Sequence, residues 1–173
     1  WLTCGEAFPS SRPHLALMPY WREGRRMIGQ SVVSELDLLP VTKQARRSHL
    51  PATSIAVGTY ANDHHYPGDD WPLAPKSCRW GGRWTGTPFC IPFEALVSRE
   101  VANLLAAEKC FSVSHIANGA TRLQPLILNI GQAAGLAAAL AVRSNHDPRE
   151  LPVDSLHIFL RISVHMYVYD MYM

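Results

Sequence analysis

The 173 residues are enough for one domain with its own core, and a single domain is the default expectation. With 47% hydrophobic residues, 17% charged residues and a formal net charge of +2, the composition is globular. That excludes a disordered or tail-like chain and gives no reason to expect a nucleic acid or an acidic membrane surface as partner.

Ten of the thirteen prolines and eight of the eleven glycines precede residue 95, which predicts a loop-rich front half and a more regular back half. Pro19 to Pro40, "PYWREGRRMIGQSVVSELDLLP", opens with a short basic helix candidate, Tyr20 to Met27. A strand-like "QSVVS" and a helical turn around "ELDLL" follow. Residues 40–52 read as an exposed basic linker. "TSIAVGTYAN", Thr53 to Asn62, is β-branched and apolar and predicts a strand. The polar run "NDHHYPGDDWP" is a loop, and residues 68–88 read as a surface hairpin or excursion.

"FCIPFEALV" resumes an extended path. "NLLAA", Asn103 to Ala107, has the form of a short buried strand, and "CFSVSHI" that of a second extended piece. A long helix is predicted from Arg122 or Pro125 to about Arg143. "DPRELPVDSLHIFLRI" then offers Asp147 or Asp154 as caps for a terminal amphipathic helix. The four cysteines, Cys4, Cys78, Cys90 and Cys110, form no C-x-x-C pair. A metal centre or redox dithiol is therefore not expected, and free thiols in a reducing, cytoplasmic compartment are.

The long helix carries the most chemistry. After Arg122, twenty residues lack any charge, about the length that spans a bilayer. Gln124, Asn129 and Gln132 lie within it, and no aromatic belt or basic flank frames it, so a helix of a water-soluble core is expected and not a membrane span. Small residues at 131, 135 and 139, and at 134, 138 and 141, give a smooth flank suited to close contact with a sheet or a flat ligand. Pro125 fits the first helical position with Gln124 as cap; the other register uses Thr121 and Gln124 as a capping box. In both, unpaired N–H groups and the positive end of the helix dipole lie near residues 121–127 and favour an anionic or electron-rich group.

"NLLAAEKCFSVSHIANGATRLQPLILNIGQAAGLAAAL" resembles the C-terminal flavin-binding segment of FAD-dependent oxidoreductases of the glutathione-reductase-like, two-dinucleotide-fold group, in particular their xanthan lyase-like bacterial branch. Upstream, "WREGRRMIGQSVVSELDLL" is similar to that branch's R-E-x-R-R-x-x-G block. "SIAVGTYANDHHYP" resembles its strand followed by D-x-H, and "IPFEALVSREVANLL" its I-P-[YF]-x-x-L-V segment. The resemblance covers roughly residues 20–150. It implies an α/β protein (α+β within this chain): the C-terminal part of a split, Rossmann-like FAD-binding domain plus the end of an inserted substrate or cap region. Residues 1–95 would end the insertion, 96–147 would be the return segment of the FAD domain, and 148–173 a C-terminal helix and tail. No two glycines stand two apart, so the G-x-G-x-x-G turn that cradles a pyrophosphate is absent from the sequence.

The resemblance also implies roles. Glu108 would face ribityl or ribose hydroxyls. Asn118, Gly119, Ala120, Thr121 and Arg122 would form the loop leading to the helix, and N–H groups near Gln124 and Leu126 would stabilise negative charge at the flavin. Asp63 and His65 would serve proton transfer. Arg25 and Arg26, with Glu23, would clamp a carboxylate or polyhydroxylated substrate. His115 would be a base near the ring. The expected protein is an FAD-dependent oxidoreductase acting on a small-molecule substrate. The alternative is a non-catalytic remnant, or a binding subunit that lacks its nucleotide-binding half.

Overall fold

The computed structural model describes residues 10, 14, 16–18, 24–42, 45–60 and 87–164. Tyr20 to Glu23 of the expected basic helix, the loop and excursion of residues 61–86, and the tail from residue 165 lie outside the described residues.

Two strands, β1 (Ser54–Gly58) and β2 (Phe89–Pro92), pair antiparallel with Ala56 opposite Ile91 and Gly58 opposite Phe89. The register shifts between Ser54 and Ala56, a bulge-like irregularity. Three helices follow: α1 (His115–Thr121), α2 (Gln124–Ser144) and α3 (Val153–Val164). The fold mixes helix and strand and is compatible with a piece of an α/β protein. The expected turn around "ELDLL" is a 3-10 turn, Glu35–Leu38, in which Asp37 Oδ2 accepts both the backbone N–H (2.7 Å) and the hydroxyl (2.9 Å) of Ser34.

Helix α2 lies on β1 and turns Leu126, Ile127, Ile130, Ala133, Ala134, Ala137 and Ala141 into the core, the i, i+3, i+4 spacing of one helical face. At the near end of that contact, a Cβ on Gly58 would stand 2.5 Å from the Phe89 ring and 3.2 Å from Leu126, so only glycine lets those two side chains close over β1. The helix is long and apolar enough to cross a bilayer by length and composition, but in this chain one face is buried in the protein core. Helix α3 packs back on α2 and β1 through the fully buried Leu156, and His157 Nε2 lies 2.9 Å from the Ser54 carbonyl.

Several expectations are corrected. "NLLAA" is no strand: Leu105 makes one isolated bridge to Val97, and Asn103 sits at φ 56°. "QSVVS" and "CFSVSHI" likewise share one isolated bridge, Val33 to Val113, and Gly29, just before the first, bridges Ser98. These segments are nevertheless tied together. Met27 donates to the Cys110 carbonyl (2.8 Å), Gln30 to Val97 (3.0 Å), Val33 to Ser112 (3.0 Å), and Ser112 in turn to Ala95 (2.9 Å). The bonds between these segments fall at irregular positions and give only isolated bridges, so none accumulates the ladder of a strand.

The smooth flank is also reassigned. A Cβ on Gly131 would meet only the Ala107 carbonyl at 3.4 Å, and one on Gly135 would meet nothing within 4 Å. Of that flank Ala134 and Ala141 are buried, together with Ala133 and Ala137, whereas Gly135, Ala138 and Ala139 are exposed.

Candidate functional site

The residues expected to form a loop, Asn118 to Thr121, are helical and close α1, and Arg122 is the helix's C-cap. Asn118 and Gly119 are weak helix formers, so tertiary contact and capping carry the helix. Ser114 is its N-cap: the hydroxyl accepts from the Ala117 N–H (3.1 Å) and donates to Glu35 Oε2 (3.1 Å). Ala117, Asn118, Gly119, Ala120 and Thr121 are all buried.

Only Arg122 (φ −80°, ψ 8°) and Leu123 (φ −83°, ψ 146°) separate α1 from α2. Leu123 is the N-cap of α2, which corrects both predicted registers: Gln124 is already helical, and Thr121 belongs to the preceding helix and forms no capping box with it. Pro125 does stand in the first turn, as expected. No side chain caps this end, and Gln124 and Pro125 are exposed. Pro125 carries no N–H, so Gln124 and Leu126 supply the first N–H groups of α2 that have no acceptor within the helix, with the positive end of a 21-residue helix behind them.

Two atoms beside this elbow stand out. Asn118 and Thr121 are 1% and 0% exposed, yet Asn118 Oδ1 and Thr121 Oγ1 have no hydrogen-bond partner among the described residues. Such atoms are rare in folded proteins, because burial strips their water without replacement.

The remaining candidates are distributed unevenly. Asn118, Gly119, Ala120, Thr121, Arg122, Gln124 and Leu126 are brought together at the elbow; Arg122 is half-buried and Leu126 is in the core. His115 is exposed at the opposite end of α1, about 10 Å from Arg122 along the axis by helical rise. Glu108 is exposed and pairs with Lys109 at 3.6 Å. The Met27 bond to Cys110 brings the backbone beside Arg25 and Arg26 alongside the Glu108–Phe111 turn; Arg25 is exposed and Arg26 half-buried. Asp63 and His65 lie outside the described residues. Sequence reasoning missed Ser114 and Glu35, the pair that sets the start of α1. A serine directly before His115 was the available signal, since serine is a favoured N-cap. Among the described residues, no group of three or more His, Cys, Asp or Glu could hold a metal ion.

No curated protein and no solved structure gives a significant match to the chain. A family model described as FAD dependent oxidoreductase matches residues 4–160, nearly the whole length and including every candidate residue above. The chain thus belongs to the FAD dependent oxidoreductase family, whose cofactor is FAD.

Proposed function

We infer that this chain is the C-terminal part of an oxidoreductase that moves hydride equivalents between a small organic substrate and flavin, with residues 96–147 returning to complete an FAD-binding domain. The observation that carries this reading is the elbow. An uncapped helix start lies two residues after a buried pair, Asn118 and Thr121, whose oxygens lack partners. The pair fits a polar, hydrogen-bonding cofactor, since a helix with only packing to do is better served by apolar side chains there. Asn118, Thr121, Arg122 and the N–H groups of Gln124 and Leu126 would hold the flavin, with the backbone of Gly119 and Ala120 behind them. Glu108 would accept from its sugar or ribityl hydroxyls.

Bound FAD supplies the hydride acceptor. The chain's own groups supply electrostatics and protons. The α2 dipole and the Arg122 guanidinium stabilise negative charge beside the elbow. Arg25 and Arg26 orient an anionic or polyhydroxylated substrate. Asp63, His65 and His115 are the groups proposed to take or return a proton.

Titration of the purified chain with FAD, followed by equilibrium dialysis and flavin absorbance, tests the reading. Retained yellow colour that is lost on weakening the elbow supports it, and a protein that stays colourless at saturating FAD overturns it for this chain. A second reading is favoured by one observation: the sequence has no G-x-G-x-x-G, so this chain would act only beside a polypeptide that supplies the pyrophosphate cradle. Binding of riboflavin but not of FAD's adenylate portion would favour that second reading.

A further inference from the structure

Asn118 and Thr121 lie three residues apart on one face of α1, where both are enclosed and both carry an unsatisfied oxygen. Thr121 has a local remedy, a bond back to the carbonyl four residues earlier, and does not take it. The helix holding them is of weak intrinsic propensity: seven residues, with Asn118 and Gly119 at its centre and a two-residue elbow at its end. A segment that is unsatisfied inside and ends in a two-residue elbow is poised to exchange its present seat for one in which the two oxygens find donors.

We propose that α1 re-seats about the Arg122–Leu123 elbow when flavin binds, turning Asn118 Oδ1 and Thr121 Oγ1 out of the core to meet N–H and O–H donors of the cofactor. Cofactor binding and helix rearrangement are then one equilibrium. The proposal rests on the reading of the elbow as a flavin-binding segment. It also names the part of the cofactor: Asn118 Oδ1 can only accept, so its partner must donate. The isoalloxazine N–H and the ribityl hydroxyls are donors, whereas the diphosphate at neutral pH is not. Because the ligand shifts the helix only by its preference for the re-seated form, anything that stabilises the buried seat weakens binding.

Thr121→Val keeps the shape and removes the unsatisfied hydroxyl. It is expected to raise the unfolding temperature of the flavin-free protein by about 2–4 °C and to weaken FAD binding about tenfold. Thr121→Ser, which keeps the hydroxyl, is expected to retain wild-type affinity, and Asn118→Leu to behave like Thr121→Val. In the wild type, FAD is expected to change amide hydrogen exchange across residues 115–123. A Thr121→Val protein that is unchanged or less stable, or that binds FAD as the wild type does, overturns the proposal. Wild-type binding with unaltered exchange at 115–123 overturns the proposal alone, whereas no wild-type binding overturns the functional reading and the proposal with it.

Discussion

Replacing Gly29 with alanine should destabilise the chain, although Gly→Ala is often favourable. Gly29 is buried where three segments cross. A Cβ there would stand 2.7 Å from Ser112 Cβ and 3.0 Å from the carbonyl oxygens of both Glu94 and Ala95. Two of these neighbours are backbone and the third is fixed directly to it, so none can swing aside. The crossing cannot simply widen either, because Gln30, Ser31 and Val33 donate to Val97, Glu94 and Ser112 on the very segments that would have to retreat. Reduced freedom of the unfolded chain returns about 0.4–1 kcal/mol, while overpacking costs about 1–3 kcal/mol and each weakened hydrogen bond up to about 1 kcal/mol. The clash wins, with a net loss of about 1–3 kcal/mol. Urea unfolding measures it as a lower midpoint at unchanged slope. A midpoint equal to or above wild type would refute the crossing geometry.

Gly135→Ala should have the opposite sign, because a Cβ there meets nothing within 4 Å; the gain in helix propensity is about 0.8–1 kcal/mol in the same urea assay. Ser114→Ala removes both the cap on α1 and the bond to Glu35, and should cost about 1 kcal/mol in thermal or urea unfolding. Leu156→Ala empties the seat of α3 and should cost about 2–5 kcal/mol, with increased amide exchange along Val153–Val164. Asp147 is held down from 3.8 to about 2, first by the Arg149 side chain, then by the Arg149 backbone N–H and by that of Asn103. A carboxylate lowered in this way contributes stability that is complete above about 3.8 and lost as pH falls toward 2. Asp147→Asn should therefore flatten that part of the acid-unfolding curve, and an unchanged curve would refute the role.

Helix α2, strand β1 and helix α3 were legible because each is governed by its own pattern: an uncharged run begun by Pro125, a β-branched run bounded by Pro51, and an amphipathic run after Pro152. Helix α1 was not. Asn118 and Gly119 argue locally for a loop, and what overrides them is remote: Glu35, 79 residues before Ser114, holds the capping hydroxyl. Residues 30–34 and 103–107, read as extended, failed for a related reason. Apolar residues mark burial, but single bridges between crossing segments need the same residues that a strand does, and only the register distinguishes them. Of the candidate residues, those at the elbow were named by resemblance and adjoin one another in sequence. The partnerless state of Asn118 and Thr121 is a property of packing that no spacing reveals.

The two-residue elbow also gives the fold leverage. Helix α2 is about 30 Å long by its 21 residues, so a 10° change at Arg122 or Leu123 would carry its far end through roughly 5 Å. One inserted residue would instead roll the helix by about 100°, taking Ala133, Ala137 and Ala141 out of the core and presenting Gln132, Leu136 and Leu140 in their place. The dihedral angles of Arg122 and Leu123 therefore aim the longest helix among the described residues, and substitutions there will register at Asn145 as much as at the elbow itself.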